Sequence, residues 1–63
     1  MAIGGKVRWF RERAGLSQEE LAEKAGLTQK TIWTIEALAT DGRPSTRRNL
    51  AAALGVAVAD LYE

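Results

Sequence analysis

The sequence predicts an all-α domain, a compact bundle of five short helices. Three observations predict it. Apolar residues recur at helical spacing, no alternating strand pattern of useful length occurs, and glycine and proline cut the chain into short runs rich in helix formers. With 63 residues the chain makes a single domain, 1–63, small enough to sit near the margin of stability. Chains of this size usually lean on disulfides, a metal or very good helix packing. Cysteine and histidine are both absent, so a disulfide framework, a zinc site and thiol or imidazole catalysis are excluded. Helix packing or self-association has to supply the stability.

The first helix is expected from about Gly4 to Ala14, with Ile3, Val7, Phe10 and Ala14 as one apolar stripe. Gly15 suits its end. The second is expected from about Ser17 to Ala25. Ser17 is a good N-cap, Glu20 completes a capping box, Leu21, Ala22 and Ala25 form the inner face, and Gly26 stops it. Thr28 caps a third helix, about residues 28–37, with Ile32 and Ile35 turned inward. "ALATDGR" reads as a loop with Asp41-Gly42 at the turn. Pro44-Ser45 opens a fourth helix, Ser45 to Leu54, with core positions Leu50, Ala53 and Leu54; Gly55 closes it. "VAVADLYE" makes a last short helical segment, in which Leu61 is a core candidate.

Nine basic residues face eight acidic ones, for a net charge of +1, so the distribution of charge says more than its sum. The acids gather at Glu19, Glu20 and Glu23; the bases lie in "KVRWFRER" and "RPSTRRN". No apolar run is long enough for a membrane span and "MAIGGK" lacks the apolar core of a signal peptide. A soluble, cytoplasmic protein is expected, with no membrane partner. No metal-ligand cluster, cofactor motif or small-molecule pocket is indicated, no residue is a catalytic candidate, and an enzyme is not expected.

From Gln18 the chain reads "QEELAEKAGLTQKTIWTI", which has the residue types of a helix-turn-helix unit over about residues 17–37. Leu21 is the apolar packing residue of the leading helix and Ala22 the small residue at the crossing. Ala25 is a second buried position, and Gly26 supplies a turn conformation that other residues reach only at a cost. Leu27 plugs the turn, and Ile32 and Ile35 complete the packing.

On that motif, on "IGGKVRWFRERAGLSQEELAEKAGLTQKTIWTIE", on "RPSTRRNLAAALGV" and on the terminal "ADLY", the chain resembles the phage-repressor family of helix-turn-helix domains. This is the Cro/C1-type, XRE-like group, and the likeness runs from Ile3 to Tyr62. The resemblance implies a λ-repressor-like bundle that binds double-stranded DNA as a transcriptional regulator, a repressor in the first instance. It also implies that the third helix enters the major groove, with Gln29, Lys30 and Thr34 against base edges and Thr28 near the backbone. The side-chain chemistry agrees: Gln29 can pair bidentately with adenine, Lys30 can donate to guanine, and Thr34 offers a hydroxyl and a methyl to thymine. The plain alternative for each is a solvated polar face. Gln18 matches the family glutamine that holds a phosphate at the start of the second helix. Arg43, Ser45 and Thr46 match a second phosphate-clamping region, and Arg11 and Glu36 match a structural ion pair between the first and third helices. Family members commonly work as dimers on two half-sites. Val58 and Tyr62 are therefore candidate contacts of a weak homodimer.

Several features depart from the family pattern or stand out within it. Arg47 stands where a core leucine is usual; its stem can cover apolar surface while its head reaches a phosphate. Ala57 replaces the usual cap of the last helix, and the loop from Glu36 to Pro44 is long for the group. Trp9 is expected to point away from Val7 and Phe10, into solvent. Trp33 is also placed outward, one position before Thr34, where its ring can cover a thymine methyl or a sugar and its N–H can reach a phosphate. Two alternatives keep the fold and change the role. One is a redesigned DNA-binding miniprotein on this scaffold, the other a protein-interaction module that has lost DNA binding.

Overall fold

In the computed structural model, residues 2–38 and 42–62 are described. Helix α1, Gly4–Arg13, starts at Ile3 without a side-chain cap and ends one residue earlier than its apolar stripe suggests. Ile3 and Val7 are fully buried and Phe10 is half-buried, but Ala14 is exposed. The stripe breaks there because Ala14 is already the C-cap, where the backbone turns toward the next helix.

Helix α2, Gln18–Ala25, has the expected box: Glu20 N–H donates to the Ser17 hydroxyl at 3.0 Å, and Ser17 N–H donates to the Glu20 carboxylate at 2.8 Å. Gly26 then adopts φ +70°, a left-handed conformation that any residue with a Cβ enters at a cost. The N–H of Leu27 reaches back to the Ala22 carbonyl at 2.8 Å. Two residues later α3, Gln29–Leu38, begins beneath Thr28, whose hydroxyl accepts from Thr31 N–H at 3.2 Å.

Helix α4 spans Pro44–Leu54, with proline in its first turn, where a missing N–H costs nothing. Its buried residues are Leu50 and Ala51, while Ala53 and Leu54 are half-buried. The Asp41-Gly42 turn lies partly outside the described residues, since Asp41 is not among them; Gly42 has φ +70°.

The expected fifth helix is a correction. The described residues hold four α-helices, and the last element is a single 3-10 turn, Val58–Leu61. Four residues cannot repay the cost of nucleating an α-helix, and Ala57 offers no capping side chain. The turn is held from the other side: Asp60 accepts the Ala57 N–H at 3.0 Å, and Leu61 is fully buried.

Among the described residues the fully buried core is apolar. Ile3, Val7, Leu21, Ile32, Ile35, Leu50 and Leu61 are its fully buried side chains, contributed by every segment of the chain. Helix α3 packs against both α1 and α2, and α1 approaches it so closely that only glycine fits at position 4. A Cβ on Gly4 would run into the Ile35 carbonyl oxygen and lie 3.2 Å from the Glu36 Cα. Among the described residues no helix is long and apolar enough to cross a membrane.

Two outcomes follow from this packing. Glycine-to-alanine changes inside helices usually stabilise, by about 1 kcal/mol. Gly4→Ala is expected to do the reverse and destabilise by about 1–3 kcal/mol, read as a lower urea midpoint at unchanged slope. The second outcome concerns Glu20. The Ser17 N–H, and after it the Ser17 hydroxyl, holds the Glu20 carboxyl below its ordinary value of 4.5. A depressed folded-state value adds stability that is present above the unfolded value and lost as pH falls through the folded one. The stability difference between parent and Glu20→Gln should therefore be constant near neutral pH and shrink on acidification below about pH 4.5.

Candidate nucleic-acid interface

The outward face of α3 is set by what its inward face must do. Ile32 and Ile35 are buried, so residues at the opposite helical angle are driven out: Gln29, Lys30 and Trp33 are exposed and Thr34 is half-exposed. Among the described residues none of these four side chains hydrogen-bonds within the protein. Trp33 is 53% exposed.

A two-pronged ion pair ties α1 to the far end of α3. Arg11 Nε donates to Glu36 Oε2 at 2.8 Å and Arg11 Nη2 to Glu36 Oε1 at 3.0 Å, a two-pronged contact. The third prong, Nη1, donates to the Leu16 carbonyl at 2.9 Å. The two side chains are 12% and 5% exposed. Hydrogen bonding to Glu36 raises the Arg11 pKa further above its ordinary value, outweighing the lowering by burial. The Arg11 guanidinium therefore stays protonated in place.

Two grooves flank α3. The larger, about 490 Å³, separates α3 from the start of α4 and is lined by Lys30, Thr31 and Thr34 on one side and Gly42, Arg43 and Thr46 on the other. Ser45 stands exposed beside it. The smaller, about 250 Å³, lies on the α1 side and is lined by Arg8, Arg11, Gln18, Trp33, Glu36 and Ala37.

The predicted site residues thus divide. Lys30, Thr34, Arg43 and Thr46 share the first groove, with Gln29 exposed in the first turn of α3. Gln18 and Trp33 share the second. Gln18 is engaged within the protein, its amide donating to Glu36 Oε1 at 3.3 Å. Thr28 caps α3 and exchanges a hydroxyl hydrogen bond with Thr31 at 3.0 Å. Arg47 donates to the Gly42 carbonyl at 2.9 Å, so one prong of its guanidinium braces the loop before α4. Val58 and Tyr62 are half-buried against the core.

Trp9 is exposed, as expected, but it does not point away from Phe10: the two rings meet edge to face, with centroids 4.9 Å apart. Arg13 and Lys6 lie over the Trp9 ring at 4.6 and 5.7 Å. The favourable quadrupole contacts of an indole with an aromatic edge and with cations draw it down onto its own helix. Arg8, which the sequence reading did not single out, lines the smaller groove beside Trp33. Its signal was present, because it stands one turn before Arg11 on the same flank of α1.

Two short helices joined by a left-handed glycine, the second locked by a buried ion pair and turning a free polar face outward, define a helix-turn-helix domain. The chain belongs to that family, in its Cro/C1-type branch: the family model described as "Helix-turn-helix domain" matches residues 2–63. Solved structures agree. SinR, the master regulator for biofilm formation, in a structure in complex with DNA, is 34% identical with a TM-score of 0.90, over 97% of this chain and 98% of that one. The restriction-modification controller protein C.AhdI from Aeromonas hydrophila is 30% identical with a TM-score of 0.89, over 95% and 91%. The hypothetical transcription factor NHTF from Neisseria is 37% identical with a TM-score of 0.87, over 94% of this chain and 66% of that one.

Removing one partner of the ion pair strands a nearly buried charge. Arg11→Ala is expected to cost about 3 kcal/mol or more in chemical denaturation, whereas the apolar double replacement Arg11→Met with Glu36→Leu should recover most of that loss.

Proposed function

We propose that this domain binds double-stranded DNA sequence-specifically with α3 in the major groove, and acts as a transcriptional repressor. The observation that carries the reading is the outward face of α3, whose polar side chains are unspent inside the protein while the Arg11–Glu36 pair fixes the angle at which they are presented. Gln29, Lys30 and Thr34 read base edges, by the pairings open to an amide, an ammonium and a hydroxyl with a methyl. Trp33 joins them, its ring covering a thymine methyl or a sugar beside Thr34. Gln18, Thr28, Arg43, Ser45, Thr46 and Arg47 contact phosphates on the two sides of α3; the positions of Arg43 and Thr46 in the groove facing Lys30 support that grouping. Phosphate contacts position the domain, base contacts choose the site. Two copies on half-sites about one helical turn apart, touching weakly through Val58 and Tyr62, complete the assembly.

Selection of bound duplexes from a random library tests the reading. The parent should enrich one sequence, and Gln29→Ala and Lys30→Ala should each relax preference at different positions; unchanged preference in both removes them from the base-reading set. Affinity should fall steeply with salt, by about 0.9 of a log unit per log unit of salt for each phosphate neutralised. Trp33→Ala should weaken binding by more than about 1 kcal/mol, as expected for a lost base or sugar contact, and leave the melting temperature nearly unchanged because the ring is half exposed. A large fall in melting temperature would assign Trp33 to packing instead.

A further inference from the structure

The groove between α1 and α3 has a composition that the base-reading face does not explain. It brings Arg8 of α1 together with Gln18 of α2 and with Trp33 and Ala37 of α3, over a floor made by the Arg11–Glu36 pair. That floor is spent. All three prongs of Arg11 are occupied, and both Glu36 oxygens accept from Arg11, one of them also from Gln18. The charge left to the groove is Arg8. Among the described residues it pairs with Glu12, at 3.3 Å, one turn along the same exposed helix flank. An open pair of that kind is worth little and exchanges readily for a stronger acceptor. A planar guanidinium next to an indole and an amide suits a tetrahedral oxyanion with an apolar neighbour, and a phosphodiester with its sugar is that combination.

We infer that the Arg8–Trp33 groove seats one sugar–phosphate unit of the DNA backbone, with Arg8 leaving Glu12 to pair with the phosphate and Trp33 covering the sugar. Trp33 then contributes affinity without choosing sequence, and Glu12 acts as a competitor that holds Arg8 when DNA is absent. The inference rests on the proposed DNA reading and deepens it. It differs in assigning a contact that carries no sequence information to a residue on the recognition helix, and in recruiting α1 to the interface.

The test uses a random-sequence duplex of about two helical turns, since a backbone contact does not depend on sequence. Binding is followed by anisotropy across a salt series. Arg8→Gln should weaken binding roughly three- to tenfold at moderate salt and lower the log–log salt slope by about 0.9, the share of one phosphate. Arg13→Gln removes the same charge roughly 140° round α1, by helical geometry, and should leave the slope at its parent value. Glu12→Gln should tighten binding severalfold in the parent and much less in the Arg8→Gln background. Trp33→Ala should lower affinity equally for every duplex and leave the sequence enriched from a library unchanged. An Arg8→Gln slope equal to the parent's, an equal loss in Arg13→Gln, or an altered preference in Trp33→Ala would each overturn the inference while the DNA reading stood. A parent with no salt-dependent binding at all would overturn both.

Discussion

The buried contact between Arg11 and Glu36 is what the rest of this domain is arranged around. One guanidinium reaches three places at once: two oxygens on α3 and the carbonyl of Leu16, where the chain turns into α2. Gln18, at the head of α2, closes the arrangement on the same carboxylate. Three helices are thereby set at fixed angles by a cluster of directional bonds, which an apolar core alone does poorly. The desolvation of two charges cancels much of the attraction between them, so the pair's contribution lies in geometry more than in net stability. Without it, Ile32 and Ile35 could still be buried with α3 turned by a fraction of a residue, and the outward face would point elsewhere.

A steric constraint works beside that electrostatic one. Gly4 lets the start of α1 lie directly against the backbone of α3 at Ile35 and Glu36. The close approach brings α1 near enough for Arg11, two turns further on, to reach Glu36. The apolar core fills the space behind this contact and is small, with seven fully buried side chains drawn from every segment. Leu61 in the closing turn shows how little is spare, since even the last element contributes a residue to it.

Much of this was legible in the sequence, and the parts that were not share a cause. Capping boxes, a left-handed glycine and the spacing of Leu21, Ala25, Ile32 and Ile35 act over a few residues, so their effects can be read locally. The Arg11–Glu36 pair spans 25 positions and was legible only because the chain resembles a family in which that pair occurs. What sequence reasoning missed depends on where side chains end up in space. Ala51 is buried in place of Ala53 because the apolar side of α4 is wide enough to be rotated either way. Trp9 folds onto Phe10 and Arg13 because long side chains choose rotamers that a helical wheel does not contain. Arg8 joins Trp33 across a groove that no spacing rule connects. The last segment has helical composition, but its length and its missing cap leave it a 3-10 turn.

The division of labour along α3 has a consequence for how such a domain changes over generations. Its inward residues and Glu36 carry the fold, while Gln29, Lys30 and Thr34 carry no hydrogen bond to the rest of the described protein. Substitutions there, above all at the exposed Gln29 and Lys30, can therefore drift at little cost in stability. A lineage built on this frame is free to acquire new vocabularies one residue at a time, each intermediate remaining a folded protein.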